Sequence, residues 1–199
     1  MITWRCSAAA LLLLGACDVV EGPSLAPAGA VQEVTLAGGA VALRAPEGYC
    51  VDRGALTAQF AAIARCDTMG GSPAAGPLAL ITVSVARMAE ASAALVGVDP
   101  GAGEVIQRRT EGNLDLVQVR GAPVDAGFDA LHWRGLGPVG AYSIGLALYA
   151  PEGGPAAGDA GADLLTTVIA GISNADSTAA APPPARENPV AGWINGLFN

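Results

Sequence analysis

Lysine is absent from the 199 residues; all ten basic side chains are arginine. The amine needed for Schiff-base chemistry and the lysine of a phosphate-binding P-loop are therefore both missing. Histidine occurs once, as His132, so no site in a single chain can rest on two imidazoles. Aromatic residues make up 5% of the chain, three each of Trp, Tyr and Phe. That is too few to line a sugar groove between catalytic carboxylates. Positive charge is also scarce: the net charge is −8 and the arginines are scattered. Tracking a phosphate backbone or an anionic lipid surface needs cations grouped together. Nucleic acid is therefore not an expected partner, and the acidity is read as a solubility feature.

Several chemical motifs are missing too. There is no Gly-x-Ser-x-Gly elbow. Gly101-Ala-Gly103 lacks the third glycine and the preceding strand of a dinucleotide fingerprint. The acids show no calcium-loop spacing. A Ser-His-Asp arrangement would have to use His132, and on a strand that residue shares a side with Phe128 and Arg134, while Leu131 and Trp133 point the other way. A half-exposed strand histidine is the plainer account. No catalytic residue, cofactor or metal ligand set is expected, and the reading leans away from an enzyme.

What the chain has is small aliphatic bulk. Hydrophobic residues make up 52%, much of it alanine, alongside 27 glycines. At the N-terminus Arg5 precedes a short apolar run over residues 8–14, followed by Gly15 and Ala16. This is the layout of a secretory signal, too short to span a bilayer. Leu14-Gly15-Ala16-Cys17 resembles the bacterial lipobox at all four positions. The resemblance implies removal of residues 1–16, a diacylglyceryl thioether and further acyl chains such as palmitate on Cys17, and a membrane as partner. More than one acyl chain gives stable anchoring. Asp18 resembles an inner-membrane retention signal, so the expected location is the cell envelope, membrane-anchored and facing the periplasm, with the inner membrane favoured over the outer. Residues 17–30 read as the acylated tether.

With Cys6 in the signal and Cys17 acylated, Cys50 and Cys66 remain. One pair in an oxidising compartment predicts a disulfide, worth roughly 3 kcal/mol in the chain-entropy model. A redox pair fits poorly because the spacing is far from Cys-x-x-Cys. Leu56, Phe60 and Ile63 recur at helical spacing between the cysteines, with Asp52 as a candidate N-cap. The spacing predicts a helix there, stapled at entry and exit.

Residues 31–37 and 40–45 predict an N-terminal hairpin about Gly38-Gly39. Residues 78–87 predict a central strand, and 88–98 a short helix. Strands follow at 114–120, 127–134 and 141–149, with a turn at 135–140. Residues 160–172 predict a closing helix with Leu164, Leu165, Val168, Ile169 and Ile172 buried. The fold class expected is α+β: an antiparallel central sheet with an N-terminal hairpin, a helix between two cysteines and a closing C-terminal helix, spanning 31–173. The Ala45-Pro46-Glu47-Gly48-Tyr49 turn and the strand-to-final-helix ending resemble the PsbP-like α/β/α fold and envelope lipoproteins of proteobacteria. That resemblance implies architecture alone.

Residues 174–187 are a Pro/Ala-rich linker. Residues 188–199 predict a short amphipathic helix, with Asn188 as N-cap and Pro189 at its first position. Val190, Trp193, Ile194, Leu197 and Phe198 fall on one apolar stripe. The function expected is that of a membrane-anchored envelope lipoprotein acting through protein contacts, this stripe being the interaction candidate for another envelope protein. The alternative is a small apolar-ligand binding module; a hydrolase using His132 ranks third.

Overall fold

The computed structural model describes residues 30–88 and 103–175. Cys17, the tether, most of 88–98, and the linker and apolar stripe beyond residue 175 lie outside the described residues.

Antiparallel strands dominate. β1 (Ala30–Val31), β4 (Tyr49–Asp52), β5 (Phe60–Arg65), β6 (Leu80–Arg87), β7 (Glu104–Glu111), β8 (Leu114–Arg120), β9 (Phe128–Val139) and β10 (Tyr142–Pro151) form one eight-stranded sheet. Their spatial order is β1-β4-β5-β6-β10-β9-β8-β7. β2 (Glu33–Leu36), β3 (Val41–Arg44) and β11 (Ile172–Asn174) form a second sheet in the order β11-β3-β2. One long helix, α1 (Asp159–Ala170), lies between β10 and β11. The α+β expectation is thus corrected to a mostly β protein with a single long helix among the described residues.

The helix between the cysteines does not form. β4 and β5 occupy that stretch and pair antiparallel, Val51 opposite Ile63 and Asp52 opposite Ala62. Ala61 and Ile63 are fully buried while Ala62 and Ala64 are half-buried, a period of two. Phe60 and Ile63, read as a helical pair, sit on opposite faces of a strand. β6 flanks β5 on its other side, so every position of this short run has a ladder partner to gain. Tertiary pairing therefore overrides alanine's helix propensity. Asp52 accepts the Gly54 N–H at 2.8 Å, a turn contact and not a helix cap.

The hairpin about Gly38-Gly39 is present as β2 and β3, but it belongs to the small sheet. Glycine suits the turn because Gly38 and Gly39 take φ of 68° and 95°. The turn expected at 135–140 is a second correction: β9 continues to Val139. Gly135 and Gly137 serve close packing here, since a Cβ on Gly135 would sit 3.1 Å from a Leu116 methyl. Ile172 belongs to β11 and not to the helix.

The core lies on one face of the large sheet. Cross-strand partners share a face, so Val51, Ile63, Ile81, Leu148 and Trp133 form one row, and each is fully buried. Leu36, Val41 and Leu43 of the small sheet and Leu165 and Val168 of α1 close over that face. Each large side chain there contributes roughly 1.5–3 kcal/mol by leaving water. Polar groups of the same face seat the start of α1. Gln118 Nε2 donates to the Ala157 carbonyl at 2.5 Å and Trp133 Nε1 to the Gly158 carbonyl at 2.8 Å. Arg109 reaches Asp159 at 2.7 Å and lies 5.8 Å from the Trp133 ring.

Candidate binding cleft

The cleft begins with a tight turn. Gly48 has φ of 80°, and the Tyr49 N–H bonds back to the Pro46 carbonyl at 3.0 Å. A Cβ on Gly48 would stand 3.0 Å from the Ala75 carbonyl oxygen, so glycine lets the 70–77 loop approach. The loop is then pinned from three sides. The Tyr49 hydroxyl donates to the Pro77 carbonyl at 2.6 Å. Arg65 donates to the Gly76 carbonyl at 3.1 Å while its other nitrogens grip the Asp67 carboxylate. The Gly71 N–H bonds the Cys66 carbonyl at 2.8 Å. Cys66, in the turn just after β5, is itself joined to Cys50 of β4 by a disulfide, with Cα atoms 5.0 Å apart.

Between this braced loop, the edge strand β1 and the side of α1 lies a cleft of about 1120 Å³. That is slightly above the usual range of ligand-site sizes, roughly 300–1,000 Å³. Ala30, Val31, Leu164 and Thr167 form its walls opposite the loop, and the disulfide lies beside them. The Thr167 hydroxyl donates to the Asp163 carbonyl at 3.0 Å. Burial pushes the Tyr49 phenol above its ordinary pKa, opposed by Arg65. The hydrogen bonds from Arg65 hold Asp67 below its ordinary value. Among the described residues no group of three or more His, Cys, Asp or Glu is placed to hold a metal.

His132 stands elsewhere, on the face of the large sheet turned away from the core. It is paired with Val119 and Tyr149 across the strands, and its ring stacks on Tyr149 at 5.3 Å. Its Nδ1 is 3.4 Å from the Ala130 carbonyl. Nε2 is buried with no hydrogen-bond partner. Burial lowers its pKa, the Ala130 carbonyl opposes this, and Arg134 lowers it further. No serine or carboxylate is hydrogen-bonded to the ring among the described residues, so the sequence-derived candidates are not brought together. The cysteine pair, Leu164 and the 46–49 turn are legible in the sequence, but nothing local marks them, or the 70–77 loop, as one cleft. The signal for the turn and the loop was the glycine and proline density at 46–48 and 70–77, which also marks ordinary loops.

No protein-family model matches the chain, and no curated protein matches it. A solved structure from Bacteroides thetaiotaomicron is similar at 12% identity and a TM-score of 0.45, over 83% of this chain and 57% of that one. The chain thus spans little more than half the length of that neighbour, and a likeness at this level assigns no function. No helix among the described residues is long and apolar enough to cross a membrane.

Proposed function

We propose that the chain is an exported, lipid-anchored protein of the cell envelope that works by binding, with the cleft beside the disulfide taking a small apolar ligand. The cleft itself carries this reading. It is large, lined by Ala30, Val31, Leu164 and several alanines and prolines with Gln32, Glu47, Ser72 and Thr167 among them, and held open by a loop fastened at Pro77, Gly76 and Cys66. The Cys50–Cys66 bridge supports export, because structural disulfides persist in oxidising compartments. The lipobox-like Leu14-Gly15-Ala16-Cys17 supports the anchor. Ala30 at the cleft rim stands about a dozen residues from Cys17, so an acylated Cys17 would keep the cleft within roughly 45 Å of the bilayer.

Two experiments test the two halves. Cells fed labelled palmitate should incorporate it into the wild-type chain and not into Cys17→Ser; equal labelling, or none in either, removes the anchor. Titration with 1-anilinonaphthalene-8-sulfonate and with a long-chain fatty acid should give saturable binding that Thr167→Trp abolishes, since the indole would fill the cleft. Binding that survives Thr167→Trp, or that never saturates, rejects the cleft as the site. The second reading, contact with another envelope protein, is favoured by the apolar stripe of Val190, Trp193, Ile194, Leu197 and Phe198. Cross-linked capture from native membranes that depends on residues 188–199 would support it.

A further inference from the structure

The cleft carries charge of one sign only. No arginine is among its lining residues, and the chain has no lysine. The one carboxylate among them is Glu47, exposed in the turn between β3 and β4. Glu47 takes part in neither the Arg65–Asp67 nor the Arg109–Asp159 ion pair. Two arginines near it in the fold are turned to other groups. Arg65 holds Asp67 and the Gly76 carbonyl, and Arg44 stands opposite Glu33 in the β2–β3 pair. On the facing wall, Asp163 is exposed one helical turn before Thr167 and on the same side of α1. It adds a second carboxylate beside the mouth of the cleft. The net charge of −8 sets a background of the same sign.

This arrangement discriminates between head groups on otherwise similar apolar ligands. The alanine, valine, leucine and proline walls accept an alkyl or ring body whatever its head. An anionic head entering the cleft gives up hydration, meets Glu47, and finds no lining cation in return. A neutral head is indifferent to the field. A cationic head gains attraction from Glu47, and low-dielectric walls focus that field into the cleft.

We infer that the cleft selects an amphipathic cation, with the apolar body against Val31 and Leu164 and an ammonium-type head beside Glu47. This rests on the reading of the cleft as a ligand site and adds the class of ligand. Decyltrimethylammonium, 1-decanol and decanoate share one alkyl chain under a cationic, a neutral and an anionic head. Each is titrated into the full chain at neutral pH and low salt, below micelle-forming concentrations. The cation should bind about tenfold more tightly than the carboxylate, with the alcohol between them, because attraction and repulsion at a partly exposed site are each worth a few-fold. Glu47→Gln combined with Asp163→Asn should weaken the cation by about fivefold, strengthen the carboxylate and leave the alcohol unchanged. A carboxylate that binds as tightly as the cation, or a cation unmoved by the double substitution, overturns the inference and leaves the cleft standing. An equal fall for the alcohol assigns the effect to shape and overturns it too. If none of the three saturates, or if binding survives Thr167→Trp, the cleft reading itself fails and takes this inference with it.

Discussion

His132 shows how much a single side chain's surroundings decide. Strand alternation places it opposite Trp133, and the structure does the same: Trp133 enters the core while His132 stacks on Tyr149 on the other face. What alternation does not convey is that both faces can bury a residue, and His132 is 4% exposed. Because burial holds its folded pKa below the ordinary 6.5, the native ring stays neutral where the unfolded ring takes a proton. The unfolded state then binds more protons, so stability rises with pH through this window and falls as pH drops below about 6.5. The melting temperature should decline from pH 7 to pH 5 in wild type and much less in His132→Phe. Parallel declines would show that the ring is not the source. A separate loss should come lower, near the carboxylate range, as Asp67 and Asp129 are protonated, since Arg65 and the Leu131 N–H respectively hold their pKa values down. At this scale the face of His132 was legible in the sequence; its burial and its orphan Nε2 were not, because they depend on strands distant in the chain.

At the scale of elements, short alanine-rich segments were the hardest to read. Residues 60–65 carry Phe, Ile and three alanines, a pattern equally open to a helix turn or a strand. Two flanking strands decided for the strand. β7 gave almost no apolar signal, having only Val105 and Ile106 among charged and polar neighbours, because it is an edge strand. The stretch containing α1 is more legible, since Leu164, Leu165 and Val168 repeat at helical spacing and are buried. The start of α1 depends on a close approach: a Cβ on Gly161 would collide with the Ala156 carbonyl and press on Trp133. Gly161→Ala should therefore destabilise by about 1–3 kcal/mol despite alanine's better helix propensity. Urea unfolding would check the sign; a stabilised variant would mean that the turn before α1 yields easily.

For the whole molecule, the disulfide is the feature that both sequence and structure contain, but its role differs. The spacing predicts a staple on a helix; the bridge instead ties β4 to the turn that follows β5 and steadies the loop that bounds the cleft. Replacing both cysteines with alanine should cost roughly 3 kcal/mol by loop entropy, a fall in melting temperature of about 6–12 °C for a chain this size. The 70–77 loop should also become the first site of limited proteolysis; cutting elsewhere first would show that Tyr49 and Arg65 hold it unaided. Composition and spacing alone determined much about the chemistry this chain lacks: no lysine, one histidine, no clustered positive charge. They also marked the cysteine pair, several of the strands and the stretch holding the closing helix, because these depend on residue type and local period. The tertiary structure alone decided that the protein is mostly β, which sheet each strand joins, that β9 runs on through Gly135 and Gly137, and that a cleft opens beside the bridge. Those outcomes turn on contacts between residues far apart in sequence, where hydrogen-bond partners and packing volume outweigh any local preference.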